Sequence, residues 1–440
     1  MDQSLHRVVD LVSPSSQDIL NLGVEEARQL LLAEDSAATG RIEGSFALVA
    51  RQGEKVCLAR SLDRPLRYFL AKEVSGPLLV VAERIDEIEE FLKQEGYGDQ
   101  FHPSYTRMAP AHHVTHLRLI GCPDPNPVYR RFFDPPRATS PADLEVIGER
   151  YVGALYGEIR DWVENVPQGE PLGVMFSGGL DSGAVLLCLF RALLDLGQSP
   201  SRLKAFTLAV DGGGADAAQA REFLKRVELE MLGEEVVVAA RELDPLEAVA
   251  VIEDYKPLDV ECATMVMALA RALRHRYPEW KYLVDGDGGD ENLKDYPIEE
   301  NPELTIRSVV GNSMLYQEGW GVGAIKHSQT FSGGLSRGCV RGYAPLARYG
   351  FRTFSPNTRP RVIAEAEAIP FAELTQGSHE RLYALKGEVL RRGVMAHTGF
   401  ELPVFEKRRF QHGAASGGVL AERFADSPET YRDHFFRLFT

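Results

Sequence analysis

The sequence predicts a chain of two parts, an α+β domain followed by an α/β domain with a mostly parallel sheet. Residues up to about 130 contain short strands separated by turns, as in "GSFALVARQGEKVCLARSL", where two strands flank a turn at Gln52–Gly53. Beyond residue 142, strands alternate with helices, and this order favours right-handed crossovers and parallel pairing. The stretch "FFDPPRATSPADLEV" between them is rich in Pro, Ser and Asp and is typical of a linker. We therefore divide the chain into residues 1–138 and 139–440.

The elements of each part follow from apolar runs and helical spacing. Helices are predicted over 142–165 and 379–395, and the glycine-rich stretch 315–345 is predicted to be a loop. In between, the sequence predicts, in order, a strand in "PLGVMFS", a helix over Ser182–Gly197, a strand in "LKAFTLAV", a helix in "DAAQAREFLKRV", a strand in "EEVVVAA", two helices over 243–277 and a strand in "KYLVDG". In the first part, "GPLLVVAERIDEIEEFL" predicts a strand followed by a helix.

The composition is that of an ordinary globular protein and argues against several functions. The 440 residues carry 49 basic and 64 acidic side chains, a net charge of −15, without a long basic block, so no nucleic-acid partner is expected. No apolar run reaches about 18 residues, so no membrane partner is expected either. The N-terminus lacks a secretory signal and the five cysteines are scattered, without a C-x-x-C pair. We therefore expect reduced thiols and a cytoplasmic location.

The stretch "VMFSGGLDS" places a glycine-rich loop between a predicted buried strand and a predicted helix. Gly178 and Gly179 have no Cβ, so their N–H groups can approach an anion closely, and the following helix adds unpaired N–H donors. Ser177 and Ser182 can donate hydroxyl hydrogen bonds to phosphate oxygens. Asp181 would repel a phosphate unless a Mg2+ ion lay between them. The alternative is a structural turn with an Asp-Ser helix cap.

A second acidic and glycine-rich segment, "YLVDGDGGDENLKDY", follows another predicted strand. Gly286 allows a close approach to a nucleotide, and Asp290 is a candidate for a second carboxylate on Mg2+. The alternatives are a calcium loop or a solvated acidic loop. A calcium-binding helix–loop–helix register that starts at Asp285 would have Tyr296 at position twelve, where glutamate is required.

These two segments resemble known motifs. "SGGLDS" resembles the pyrophosphate loop of the ATP pyrophosphatases, and "DGDGGDE" is similar to the S-G-E-G-x-D-E signature of asparagine synthetases. "FEKRRFQHG" (Phe405–Gly413) resembles the synthetase segment in which a lysine, here Lys407, contacts the ATP phosphates. Arg348–Asn357 resembles a later stretch that helps to close the site, and Asp216 falls where the family places an aspartate.

The resemblance implies ATP and Mg2+ as cofactors and assigns roles to individual residues. It implies catalytic roles for Lys407 and Asp287, and magnesium ligands in Asp181 and Asp290. The nucleotide-binding residues that it implies are Met175, Ser177, Gly178, Gly179, Asp181, Ser182, Leu208 and Gly286.

Three departures from the family pattern fall on the side of the site that would bind the acceptor substrate, here called the acceptor side. Asp285 stands where the family has serine, and Asp287 stands where it has glutamate. Glu261 falls near the position of an arginine that helps to hold aspartate. We therefore expect Glu261 and Asp285 to contact a substrate other than aspartate, one that is cationic or carries an amine.

The first part resembles the glutaminase half of the same family, a fold of the N-terminal-nucleophile hydrolase type. That half uses a cysteine exposed as the first residue after Met removal, but residue 2 is Asp2 here and Cys57 lies within a predicted strand. The region before Gly44 is also too short to hold the glutamine-binding loops. We therefore expect a shortened domain without glutaminase activity.

The function that the resemblance implies is an ATP-dependent ligase that forms an amide. A carboxylate would be adenylated with release of pyrophosphate, and an amine, either ammonia, a second molecule or a group of the same substrate, would then displace AMP. Small-molecule carboxylates and amines are the expected partners, and a homodimer is left open. The alternatives are sulfur transfer or nucleic-acid base modification, for which the lack of paired cysteines is unfavourable, and a non-catalytic protein that retains the fold.

Overall fold

The structure, a computed structural model, describes residues 6–118, 126–295, 298, 304–312, 338–405 and 410–440. Its strands are β1 Arg7–Asp10, β2 Asp18–Ile19, β3 Gly44–Ser45, β4 Ala47–Gln52, β5 Lys55–Arg60, β6 Arg67–Glu73, β7 Gly76–Ala82, β8 Arg107–Met108, β9 His113–Leu117, β10 Val128–Arg131, β11 Leu172–Met175, β12 Leu203–Val210, β13 Gly233–Val238, β14 Tyr282–Val284 and β15 Arg352–Phe354.

The α-helices alternate with short 3₁₀ turns along the chain. In chain order the helices are α1 Val24–Leu31, α2 Ile85–Gln94, α3 Leu144–Asn165, α4 Leu180–Asp195, α5 Asp216–Arg226, α6 Pro245–Ile252, α7 Pro257–Arg276, α8 Gly289–Leu293, α9 Ile306–Gly311, α10 Ala344–Ala347, α11 Pro360–Glu367, α12 Phe371–Thr375, α13 His379–Thr398, α14 Phe410–Ala414, α15 Gly417–Arg423 and α16 Pro428–Arg437. A π-helical turn, Cys339–Tyr343, leads directly into α10.

Eight of the N-terminal strands form two four-stranded sheets that pack face to face, and β2 and β3 form a separate antiparallel pair. One has the order β1-β7-β6-β8 and the other β10-β9-β5-β4, and all neighbours are antiparallel except the pair β1–β7. Buried side chains of both sheets, such as Val49, Leu58 and Leu79, fill the space between them. Helix α1 packs on the outer face of one sheet and α2 on the outer face of the other. The layers are therefore helix, sheet, sheet and helix.

The C-terminal strands form one five-stranded parallel sheet with the order β13-β12-β11-β14-β15. Strand β12 is buried at nearly every position because helices cover both faces, as is usual for parallel sheets. Helices α3, α4 and α13 pack on one face and α7 on the other. The side chain of Asp143 caps α3 by accepting hydrogen bonds from two N–H groups of its first turn, and Ser378 caps α13 through one such bond.

The predicted alternation of strands and helices in the second part is confirmed. Strands β11, β12 and β14 and helices α3, α4 and α13 lie where the sequence places them, with ends that shift by a few residues. The predicted loop over 315–345 is wrong at its C-terminal end, because Cys339–Tyr343 and the residues after it are helical. Residues 313–337 of that stretch lie outside the described residues. The loop was predicted from the glycines of this stretch. Cys339 and Val340 are buried, and their tertiary packing stabilises the helical turn.

The two parts of the chain are in contact. The Arg84 side chain donates a hydrogen bond of 2.7 Å to the Val251 carbonyl oxygen, and Ile85 packs with apolar residues of α6 and α16. Across the described part of the chain, no helix is long and apolar enough to cross a membrane.

Candidate functional site

The candidate site lies at the carboxyl edge of the parallel sheet, where open α/β folds bind ligands. Strands β11 and β14 are hydrogen-bonded neighbours, and each ends in one of the two glycine-rich loops. The two loops are more than one hundred positions apart in the sequence, but they lie close together because the strands that precede them are adjacent.

Hydrogen bonds within the first loop, Ser177–Ser182, stabilise its conformation. The Gly179 N–H donates to the Ser177 hydroxyl oxygen at 3.2 Å, and the Ser177 and Ser182 hydroxyls lie 3.3 Å apart. Gly178 has a φ of +74°, and a Cβ there would lie 2.8 Å from the Ala220 backbone nitrogen. Only glycine fits this position, because any side chain would strain the backbone and strike α5.

The second loop packs against the start of α4 and so against the first loop. A Cβ at Gly289 would lie 2.2 Å from the Asp181 Oδ1 atom, so the absence of a side chain there leaves room for this carboxylate. The Asn357 side chain donates to the Gly286 carbonyl oxygen at 3.1 Å, and Asn292 donates to the Asn357 carbonyl oxygen at 2.8 Å. The segment after β15 therefore holds the second loop in place.

Asp285 is buried at the base of this loop. Its carboxylate accepts a hydrogen bond of 2.8 Å from the Ser355 hydroxyl and one of 3.0 Å from the Asp287 N–H. Burial raises the pKa of Asp285 well above its ordinary value, and the nearby charge of Asp287 raises it further. The protonated form of Asp285, which this environment favours relative to an exposed carboxyl group, can donate a hydrogen bond as well as accept one.

The carboxylates of Asp181 and Asp290 converge on the ammonium group of Lys386. The Lys386 Nζ atom lies 2.5 Å from an oxygen of each, and 3.5 Å from Asp295. Burial opposes the charged form of this lysine, but the three carboxylates raise the pKa of Lys386 well above its ordinary value. Lys386 comes from α13, so this helix supplies a cation to both loops.

The positions of these two carboxylates can be compared with the ligands that Mg2+ requires. Among the residues that the structure describes, no group of three or more His, Cys, Asp or Glu side chains is placed to hold a metal ion. Mg2+ bound with a nucleotide needs only one or two protein carboxylates, because phosphate oxygens and water complete its shell. Asp181 and Asp290 already point at one shared cation, and both side chains are partly exposed, so the pair fits Mg2+ that arrives with a nucleotide.

A second set of charged groups surrounds the Cys262 thiol on α7, beside the second loop. Burial raises the pKa of Cys262 to about 11; Arg341 lowers it, and the charges of Asp259, Asp287 and Glu261 raise it. The Arg341 Nε donates to Asp259 at 2.6 Å, and Asp259 is fully buried. The Arg341 Nη2 atom is buried and has no hydrogen-bond partner within the described ranges. This region therefore contains three carboxylates and one guanidinium group with a remaining donor.

The other predicted site residues are placed as follows. Met175 ends β11 and packs against the apolar cluster that contains Leu208, so the two border one apolar region near the first loop. Asp216 opens α5 and lies against Gly413, where a Cβ would lie within 1.9 Å of its carboxylate. Lys407 lies outside the described residues.

Two further charged residues of the site, Lys386 and Arg341, were not predicted from the sequence. Leu382, Leu385 and Val389 share the buried face of α13 with Lys386, so a lysine on the apolar stripe of a predicted helix was a signal that could have identified it. Arg341 gave no such signal, because its segment has no regular apolar spacing.

A glycine-rich loop that follows a parallel strand and precedes a helix is a common place for α/β proteins to bind anions. The sequence model described as asparagine synthase matches residues 158–383, more than half of the chain. The chain therefore belongs to the asparagine synthase family. Members of this family are ATP-dependent ligases that use ATP, typically with Mg2+. None of the curated proteins compared with the chain matches it.

Proposed function

We propose that the protein is an AMP-forming ligase that adenylates a carboxylate and transfers the acyl group to an amine. The observation that carries this proposal is the meeting of the pre-folded Ser177–Ser182 loop with the Asp181 and Asp290 carboxylates at one edge of the sheet. A phosphate-binding loop beside two carboxylates suits a magnesium-bound triphosphate better than a simple anion.

The residues of the chain would act as follows. The N–H groups and hydroxyls of the first loop would bind the pyrophosphate portion of ATP, and the apolar region around Met175 and Leu208 would take the adenine. Asp181 and Asp290 would hold Mg2+, which neutralises phosphate charge when bound. We assign Lys407, as the family resemblance implies, to the negative charge that develops on the reacting oxygens.

The acceptor side would bind a substrate with a positively charged or amine-bearing group. Asp287 and Glu261 both lie near the Cys262 thiol, so two carboxylates border this region. The partly exposed Arg341 side chain adds a positive charge to the same region, which suits a carboxylate of the same substrate. We therefore propose a substrate that presents both a carboxylate and an amine.

We further propose that the amine does not come from glutamine cleaved by the N-terminal part. Cys57, the cysteine within the described residues 6–118, is fully buried in β5, and burial raises its pKa to about 11. A buried neutral thiol is a poor nucleophile. The layering of helix, sheet, sheet and helix supports a domain of the N-terminal-nucleophile type that serves as a scaffold.

The test measures the products formed from ATP with a panel of carboxylates and amines, including the small-molecule fraction of a cell extract. We expect AMP and pyrophosphate, and we expect Asp181→Asn to lower their rate at least about 10²-fold, as does the loss of one transition-state contact in other enzymes. Asp433→Asn, at an exposed position, is the matched control. Formation of ADP and phosphate, or no binding of an ATP analogue at all, would contradict the proposal. The sulfur-transfer alternative has no support from the described thiols, because all four are buried.

A further inference from the structure

The π-helical turn before α10 is tied to the N-terminal part of the chain. The Tyr343 hydroxyl donates a hydrogen bond of 2.7 Å to the Glu83 carboxylate, and the guanidinium group of Arg64 lies 4.3 Å from the centre of the Tyr343 ring. The Cys339 thiol donates a weaker hydrogen bond, of 3.5 Å, to the Leu62 carbonyl oxygen. The first and last residues of the turn are therefore both held by the N-terminal part.

Two other residues of the same turn lie against the acceptor side. A Cβ at Gly342 would lie 3.2 Å from the Asp285 Oδ2 atom and 3.3 Å from the Asp287 Oδ2 atom, so the bare backbone packs against both carboxylates. The Arg341 Nε atom donates a hydrogen bond of 2.6 Å to Asp259 of α7. The turn therefore forms one wall of the region in which the acceptor substrate would bind.

The hydrogen bond of Tyr343 can fix this wall because both of its partners are themselves held. Glu83 directly follows strand β7, and its second carboxylate oxygen accepts a hydrogen bond from the Ser16 hydroxyl. Burial and the Glu83 carboxylate raise the pKa of Tyr343 above its ordinary value, so the hydroxyl keeps its proton and remains a donor. The Ala344 N–H donates to the Cys339 carbonyl oxygen and closes the turn, so a shift of one residue displaces its neighbours.

From these contacts we infer that Tyr343 is a positioning residue for the acceptor side. Its hydrogen bond to Glu83 fixes the turn, and the turn sets where Gly342 and Arg341 stand against the substrate. The inference rests on the proposed function, in which this region binds a substrate with a carboxylate and an amine. It gives the N-terminal part a task that needs no nucleophile. The first loop follows a different strand, β11, and has its own hydrogen bonds, so ATP binding should not depend on Tyr343.

Timed labelling of the full chain with methyl methanethiosulfonate, followed by peptide mass spectrometry, tests this hydrogen bond without any substrate. Tyr343→Phe removes the hydroxyl but keeps the ring beside Arg64. The Cys262 thiol is buried on the acceptor side near Arg341, so its labelling requires local opening there, whereas Cys188 is buried in α4. We expect Cys262 to react roughly tenfold faster in the variant, because a hydrogen bond to a charged group is lost, and Cys188 to react at the parental rate.

Tyr105→Phe is the matched control, because Tyr105 also belongs to a tyrosine-bearing loop but lies in the N-terminal part and is 70% exposed. It should leave both thiol rates unchanged. In Tyr343→Phe, equally faster labelling of Cys262 and Cys188 would show a general loss of stability. Labelling of Cys262 at the parental rate would show that the hydroxyl does not hold the wall. Either result would overturn the inference.

A second variant disturbs the same wall from the acceptor side. Gly342→Ala would place a methyl group 3.2 Å from a carboxylate oxygen of Asp285, which must then shift. Alanine favours a helical backbone more than glycine does, so the turn itself should persist in this variant.

Steady-state kinetics test the link to function, with the carboxylate and amine that yield AMP in the product assay above. Tyr343→Phe and Gly342→Ala should each raise the KM of the amine-bearing substrate roughly tenfold or more, because small misplacements are costly, and leave the KM of ATP unchanged. An equal rise in both KM values would overturn the inference, and so would an unchanged KM of the amine-bearing substrate. No AMP formation with any pair would instead contradict the proposed function, and the thiol rates would still decide whether Tyr343 holds the wall.

Discussion

Asp63 in the N-terminal part and Asp285 in the candidate site are buried to the same degree, with 3% and 2% of their surfaces exposed, yet their environments act in opposite directions. Burial alone would raise the pKa of both carboxyl groups. For Asp63, the guanidinium groups of Arg359 and Arg64, with two serine hydroxyls, hold the pKa well below its usual range. For Asp285, the charge of the neighbouring Asp287 adds to the effect of burial, and the pKa is raised well above its usual range.

The two carboxylates also differ in their ion pairs. Asp63 lies 3.0 Å from Arg64 and 3.6 Å from Arg359, an arginine of the C-terminal part, so its charge links the two parts of the chain. Asp285 has no ion-pair partner among the described residues and accepts only hydrogen bonds. Perturbed acids without a structural counter-charge concentrate at functional sites.

The largest effect is expected for Asp63→Asn. The substitution keeps the shape of the side chain but removes its charge from beside two buried guanidinium groups; Arg64 keeps an ion pair of 2.8 Å with Asp18, whereas Arg359 loses its carboxylate, so we expect a loss of about 3 kcal/mol in the free energy of unfolding. Because the folded pKa of Asp63 is depressed, its contribution is present above the unfolded pKa of about 3.9 and is lost as the pH falls through the folded pKa. Urea unfolding at pH 7 measures the loss, and the gap between variant and parent should narrow towards low pH.

Asp99→Asn is the control for this prediction, because Asp99 is exposed. Its effect should stay within about 0.5 kcal/mol, as for most surface substitutions. An Asp63→Asn chain as stable as this control would show that the buried charges do not hold the two parts together.

Much of the fold was predictable, because local sequence determines its elements. The apolar run of β12 and the loop between β11 and α4 follow from spacing and glycine placement, and both are confirmed. The turn Cys339–Tyr343 could not be predicted, because tertiary contacts rather than periodicity stabilise it.

The candidate site was predictable where its residues form short local motifs. The structure brings Asp181 and Asp290 together as the motifs imply, although the magnesium itself stays a prediction. The cation that joins them, Lys386, lies 96 residues beyond Asp290, and no local pattern connects the two. Its position on the apolar face of a predicted helix indicates a buried lysine, but only the structure shows which carboxylates it pairs with.

A smaller effect is expected for Lys386→Met. Three carboxylates would lose their shared ammonium group, but the Asp181 and Asp290 side chains are 23% and 39% exposed, so water and ions can screen their repulsion. We expect a loss of about 2 kcal/mol, and we expect added Mg2+ to raise the melting temperature of the variant more than that of the parent. Scanning fluorimetry with and without MgCl2 measures this, with exposed Lys225→Met as the control. An equal response of variant and parent to Mg2+ would contradict a cation site at these carboxylates.

The smallest effect, and the sharpest contrast with Asp63, is expected for Asp285→Asn. Burial and the charge of Asp287 raise the pKa of Asp285, so a neutral amide can replace its protonated carboxyl group with little loss; at low pH, where that group is neutral, we expect stability within about 1 kcal/mol of the parent. A raised folded pKa gives a contribution that is fully present below the unfolded pKa of about 3.9 and is lost as the pH rises through the folded pKa. The parent should therefore lose stability relative to Asp285→Asn as the pH rises above about 3.9, whereas relative to Asp63→Asn it should gain stability as the pH rises towards about 3.9 and change no further above it. Urea unfolding of the parent and both variants, at pH values below and above about 3.9, compares the two trends directly. A gap that does not change with pH would mean that Asp285 is ionised in the folded chain, with a counter-charge that the described residues do not supply.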